Sequence, residues 1–257
     1  MIELINITHH YGIKPTLRNV NLTVNTGELL CVMGPNGMGK STLLSVTAGL
    51  LAPIKGQVKI DGLVRRSSIE TERIIRQKLV YLPDTPWAPK AHTGREYLFA
   101  IGRLYEVNED RLFDHIDRLL DVFDLTDKAD SPIASYSTGQ HKKIGICSGL
   151  VTDAPILILD EPFSGGLDSS ALLALQQILK HLAQRDDTTI MMAVPVPELV
   201  EDLADRIAII KSGQILACNT ATQLKTQTST NTLGEALEHL IHPEGREHIQ
   251  RYFEVNR

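Results

Sequence analysis

Apolar positions fall in short runs near the start of the chain, at helical spacing in its middle, and in short runs again beyond it. "IELINIT", "NVNLTV" and "GQVKI" predict short strands. "ELLCVM" (Glu28 to Met33) and "KLVYLP" (Lys78 to Pro83) are unbroken apolar runs, the pattern of strands covered on both faces. "STLLSVTAGL" predicts a helix ending near Gly49. From about Asp84 to Ala154 the spacing is helical, most clearly in "GREYLFAIGRLYEV" and "EDRLFDHIDRLLDVF". Strands return as "PILILD", "TTIMMAV" and "RIAII", with the helical "SSALLALQQILKHLAQR" among them. This alternation predicts an α/β fold: a parallel, helix-covered sheet interrupted by a helical subdomain. After Gly213 the Thr-rich "NTATQLKTQTSTNT" reads as a mobile linker, with two short helical segments following it to Arg257. No internal repeat is evident.

The strand "ELLCVM" runs into "GPNGMGKST": Gly34, Pro35, Asn36, Gly37, Met38, Gly39, Lys40, Ser41 and Thr42. Gly34, Gly39, Lys40 and Ser41 fit G-x-x-x-x-G-K-[ST] between a strand and a helix. Glycines let successive N–H groups turn inward on phosphate oxygens, and the helix start adds partial positive charge. Lys40, expected on an exposed loop, reaches the β- and γ-phosphates, and the Ser41 hydroxyl ligates Mg²⁺. The bland alternative is a Gly-rich turn without chemistry. A second constellation ends the apolar strand "ILILDEP". The strand delivers Asp160 to its C-terminal edge, where it holds Mg²⁺, and Glu161 points elsewhere, placed to polarise an attacking water as general base.

Bulk properties narrow the class. The chain has 257 residues and can bury a full core, and its net charge of −5 gives no basic field for a nucleic-acid partner. Cys31, Cys147 and Cys218 show no metal spacing and read as buried free thiols of a reducing compartment. The start "MIELINITHH" is no secretory signal, and no apolar run approaches the ~18 residues that span a bilayer. A cytoplasmic protein is expected.

With these two motifs, "YSTGQHKK" (Tyr136 to Lys143) resembles an LSGGQ signature and "GGLDSS" (Gly165 to Ser170) resembles a D-loop. In this order the motifs make the chain similar, over nearly its whole length, to the ATP-binding cassette (ABC) ATPases, the nucleotide-binding subunits of ABC transporters. The resemblance implies a P-loop NTPase with a RecA-like core, an antiparallel β subdomain and an inserted helical subdomain. It places the nucleotide-binding domain at residues 1–219, with the helical subdomain at about 85–154, and leaves 220–257 as linker and C-terminal helical extension. It implies ATP and Mg²⁺ as cofactors and Tyr11 as an adenine platform, unless that tyrosine is simply packed. It also implies a homodimer or heterodimer with a second ABC ATPase. There Ser137, Thr138, Gly139 and Gln140 touch the nucleotide of the opposite site. A polytopic permease is the implied membrane partner, holding the protein on the inner face of the cell membrane. "YLPDTPWAPKAHTGREYLFAIGRLYEV" resembles the same stretch of ABC-2-type exporters. Trp87 and Arg95 lie within it as candidate permease contacts, and a packed aromatic is the other reading of Trp87.

Four departures from the family bear on hydrolysis. Thr138 stands where the signature has a second glycine, and the D-loop is one residue longer than usual. Asp84 stands where the family's Q-loop has Gln, either as a charged Mg²⁺ ligand or as a turn residue before Thr85-Pro86. Pro195 occupies the position of the family's switch histidine, and proline offers neither a side-chain donor nor an N–H. His181, on the preceding helix pattern, is a poor substitute. Two functions therefore stand: a transport ATPase driven by Glu161, and a weakly hydrolysing ATP-binding subunit that pairs with an active ATPase or regulates a membrane partner.

Overall fold

The computed structural model describes residues 1–242. Two sheets form its frame. Strands β1 (Ile2–His9), β2 (Leu17–Val24), β4 (Lys55–Ile60) and β5 (Leu63–Val64) make an antiparallel sheet in the order β2-β1-β4-β5. The second sheet has the order β10-β9-β3-β8-β7-β6. It is built from β3 (Leu29–Met33), β6 (Leu79–Leu82), β7 (Ile156–Asp160), β8 (Thr189–Ala193), β9 (Arg206–Lys211) and β10 (Gln214–Asn219). All its pairs are parallel except β9 with β10.

Every residue of β3, β7 and β8 is buried, as their unbroken apolar runs predict. The two-residue period splits each strand between two cores. Leu30, Val32, Ile156, Ile158 and Met191 pack with the antiparallel sheet and with α1 (Lys40–Thr47). Leu29, Cys31, Met33, Leu157, Leu159 and Met192 face the helical side. Because β3 is flanked by β8 and β9, and β7 by β8 and β6, the C-terminal ends of β3 and β7 open on one edge. Ligand crevices form at such an edge.

Helix α2 (Ile69–Lys78) was not foreseen, since Ile75 is its only buried residue. Between β6 and β7 come α3 (Gly94–Leu104), α4 (Glu109–Val122) and α5 (Thr138–Leu150). Thr93 and Glu96 close a capping box on α3. Leu98, Leu112, Ile116 and Phe123 are fully buried. A Cβ on Gly102 would lie 2.3 Å from a Leu112 methyl, so this glycine sets how closely α3 and α4 approach. Helix α6 (Ser169–Ala183) joins β7 to β8.

The region after Gly213 departs from expectation. Residues 214–219 are strand β10, and the Thr-rich stretch forms helix α7 (Ala221–Thr228) in place of a linker. Helix α8 (Leu233–Ile241) follows, and the rest of the expected helical extension lies outside the described residues. No described helix is long and apolar enough to cross a membrane.

Candidate functional site

The loop between β3 and α1 turns on three glycines with positive φ: Gly34 (152°), Gly37 (77°) and Gly39 (105°). A Cβ on Gly34 would lie 2.2 Å from the Ile210 carbonyl oxygen, and one on Gly39 would lie 2.8 Å from that of Thr16. Both ends of the loop therefore require glycine, while Gly37 stands in open space. Gly39 begins α1 without a side-chain cap, so the first-turn amides lack an intrahelical acceptor and are free for an anion. A phosphate group fits this cradle.

Lys40 corrects the expectation of an exposed side chain, being only 5% exposed. Its Nζ curls back and donates to the carbonyls of Gly34 (2.9 Å) and Pro35 (3.3 Å) and to Asn36 Oδ1 (3.3 Å). Burial lowers its pKa, and the Glu161 and Asp160 charges partly offset that shift.

The second motif meets the first here. Ser41 Oγ donates to Asp160 Oδ1 at 3.2 Å, across 119 residues of sequence. Tyr81 donates a longer bond of 3.5 Å to Oδ2. Asp160 is buried, and the loss of solvent raises its pKa against the lowering effect of the Ser41 bond. A buried carboxylate beside a hydroxyl is a donor set that suits a hard divalent cation.

Glu161 takes the opposite exposure. It sits at φ 46°, its N–H donates to the Ala193 carbonyl at 3.0 Å, and it is half-buried. The left-handed backbone at Glu161 ends the strand geometry of β7 there. Its carboxylate makes no hydrogen bond among the described residues. Pro195 lies two residues past Ala193, exposed just beyond the end of β8.

The expected signature residues open α5. Ser137 is the N-cap: its Oγ accepts from the Gln140 N–H (3.2 Å), and its own N–H donates to Gln140 Oε1 (2.9 Å). Thr138 is exposed, so the glycine of the signature is replaced without steric penalty within this chain. A Cβ on Gly139 would lie 2.9 Å from the Gly166 carbonyl oxygen, which places the signature against the D-loop. The extra D-loop residue is absorbed by Gly165 and Gly166, both with positive φ (82° and 81°), and Asp168 caps α6.

Tyr11 is 69% exposed, which excludes the packed reading. Its hydroxyl lies 3.5 Å from Thr42 Oγ1, and its ring meets His9 edge-on. Trp87 is 77% exposed, so it too is no packed aromatic. Arg95 is committed inside the subdomain, where it pairs with Asp117 and, at 3.0 Å, with Asp130.

Asp84 has a role neither expectation foresaw, because its Oδ1 accepts from Lys142 Nζ (3.4 Å) and from Ser164 Oγ. Lys142 and Lys143 escaped the sequence reading because lysines on a helix usually face solvent. Here both are buried; Lys143 pairs with Asp168 at 2.7 Å and lowers that carboxylate's pKa. The readable signal was two lysines leading into the apolar "IGIC" of α5.

A phosphate loop at a sheet edge, an acidic strand end beside it and a signature-capped helix define a phosphate-loop nucleotide-binding protein of the cassette type. The ABC transporter family model matches residues 17–164, more than half of the chain, and the chain belongs to that family. It is 30% identical over 88% of its length to the daunorubicin resistance ATP-binding protein DrrA3 of Streptomyces coeruleorubidus, covering 70% of that protein. It is 32% identical over 83% of its length to the Nod factor export ATP-binding protein I of Sinorhizobium fredii, covering 61% of it. A relative named for import, the Fe(3+) ions import ATP-binding protein FbpC of Vibrio cholerae, matches as well, at 27% identity over 98% of this chain and 72% of that protein. A dimeric ATP-binding cassette solved in a post-hydrolysis state with ADP and Pi superposes with a TM-score of 0.75. That match has 25% identity and covers 86% of this chain and 98% of the other. Nucleotide binding and ATP hydrolysis are the work of this family.

Proposed function

We propose that the chain binds ATP with Mg²⁺ and hydrolyses it to drive export through a separate membrane permease. The observation that carries this reading is the Ser41–Asp160 contact, which joins the two motifs at one sheet edge. The loop amides and Lys40 hold the phosphates; Ser41 and Asp160 hold the cation. Tyr11 offers an exposed ring for the adenine to stack on. The nucleotide supplies the phosphoryl group, and the cation neutralises charge on it. The Glu161 carboxylate, which makes no hydrogen bond among the described residues, orients the attacking water as general base. Ser137, Thr138, Gly139 and Gln140 act on the nucleotide of a second cassette, identical or related, as the dimeric cassette among the similar structures suggests. Export draws on the Nod factor relative and on the resemblance of residues 81–107 to ABC-2-type exporters. The exposed Trp87 is the permease contact and holds the protein at the inner membrane face.

A second reading has its own observation. Pro195, at the end of β8 beside the Glu161 strand, supplies no donor to a phosphoryl group, which favours a subunit that binds ATP and turns it over weakly.

Thermal unfolding with nucleotide tests the binding. Millimolar ATP·Mg²⁺ raises the wild-type melting temperature, because nucleotide at a hundred times Kd stabilises the fold by about 2.7 kcal/mol. Lys40→Ala loses the shift. A wild type that melts at the same temperature with and without ATP contradicts the assignment.

A further inference from the structure

A lysine of α5 to which the signature resemblance gives no role sits at the centre of the site's backbone. Lys142 is 3% exposed, and its Nζ donates to the carbonyl oxygens of Asp84 (2.5 Å) and Glu161 (3.1 Å). It also lies 3.4 Å from Asp84 Oδ1 and 3.5 Å from Ser164 Oγ. The segment after β6 can reach it because α5 is shaved at Gly145, one turn along: a Cβ there would lie 2.4 Å from Pro86. Gly165 turns the D-loop over the lysine stem, 3.2 Å from Lys142 Cδ for a Cβ at that position.

The Glu161 carbonyl collects donors from three directions. Ser164 N–H lies at 3.1 Å, Ser164 Oγ at 2.9 Å and Lys142 Nζ at 3.1 Å. The single Ser164 hydroxyl proton points either to that carbonyl or to Asp84 Oδ1. These bonds hold a non-glycine residue at φ 46°, a left-handed conformation that L side chains rarely adopt unless their surroundings fix it. The φ and ψ of Glu161 decide where its carboxylate points.

We propose that Lys142 is a positioning residue for hydrolysis: its ammonium, neutralised by Asp84, clamps the Glu161 carbonyl and so aims the Glu161 side chain. On this account Asp84 is the counter-ion of a buried lysine and not a magnesium ligand. A Gln at position 84, as the family resemblance would have it, leaves that ammonium without its charge partner. The inference rests on Glu161 being the general base.

A double-mutant cycle in the full chain tests it, with Asp84→Asn, Lys142→Met and the pair. The first readout is the melting temperature without nucleotide. Each single change lowers it, and the pair falls by less than the sum, because removing both partners leaves no unpaired buried charge. The second readout is single-turnover ATP hydrolysis beside ATP·Mg²⁺ affinity. Lys142→Met slows turnover about tenfold or more while affinity stays within about threefold, and Lys142→Arg restores part of the rate. A merely structural lysine would lower stability and leave turnover of the folded, ATP-bound protein untouched. Additive melting shifts overturn the proposal. So does a Lys142→Met protein with wild-type turnover, or an Asp84→Asn protein whose main defect is Mg²⁺ affinity. If Glu161→Gln leaves hydrolysis unchanged, it is the underlying assignment of the base that fails; if Glu161→Gln abolishes it and Lys142→Met does not affect it, only the positioning role fails.

Discussion

The Asp160 carboxylate is 4% exposed and is met by the Ser41 hydroxyl at 3.2 Å, with Lys40 nearby. Burial raises its pKa above the ordinary 3.8. A raised acid pKa means that the folded state binds the proton more readily than the unfolded one. The stability this contributes is whole below 3.8 and is lost as pH rises through the folded value. At neutral pH the ion therefore weighs against the fold until a cation sits beside it. Asp160→Asn should raise the melting temperature of the nucleotide-free protein at pH 7 and remove most of the ATP·Mg²⁺ shift. Its advantage over wild type should shrink as pH falls towards 3.8, and melting curves across that range check it. Lys40, Ser41, Asp160 and Glu161 were legible in the sequence because two short motifs carry them at fixed offsets from apolar strands. The contacts of Lys142 and Ser164 were not, because they arise where α5, the end of β6 and the D-loop meet, which no local pattern encodes.

At the scale of elements, the strands buried on both faces announced themselves, as did the half-covered β1, β2 and β4, and the edge strand β10 did not. β3, β7 and β8 are continuous apolar runs, whereas β10, "QILACN", is an edge strand with no fully buried residue. Helix α7 was hidden by its threonines, which read as linker composition. In the structure Thr220 closes a capping box with Gln223, and Thr226 and Thr228 hydroxyls bond back to the carbonyls of Thr222 and Leu224 at 2.9 Å each. These bonds satisfy the hydroxyls locally, and Leu224, fully buried, anchors the helix. Through Lys225 and Glu201, α7 ties to the segment that follows Pro195, and α8 packs on the Pro197–Leu199 turn. Thr220→Ala should lower unfolding stability by about 1 kcal/mol, read as a lower urea midpoint at unchanged slope. An unchanged midpoint would mean that the capping box contributes nothing to the fold.

Across the whole molecule, two cores lie on either side of one sheet, and that sheet brings the phosphate loop and the acidic strand end to one edge. Each core is continuous with a different covering layer: the antiparallel sheet on one side, the helical subdomain on the other. The D-loop is held to the signature helix at both ends, by Lys142 at Glu161 and Ser164 and by Lys143 at Asp168. A second cassette docking against the signature would therefore press on the backbone that carries Glu161. The sharpest measurement is phosphate release at saturating ATP·Mg²⁺ from wild type, Glu161→Gln and Pro195→His in one assay. The account predicts slow release from wild type, none above background from Glu161→Gln, and several-fold faster release from Pro195→His. Losing one donor to a transferring phosphoryl group costs on the order of 10²–10³ in rate, and histidine restores that donor. Release from Glu161→Gln at the wild-type rate would contradict the assignment of Glu161 as the base and with it the account of this site.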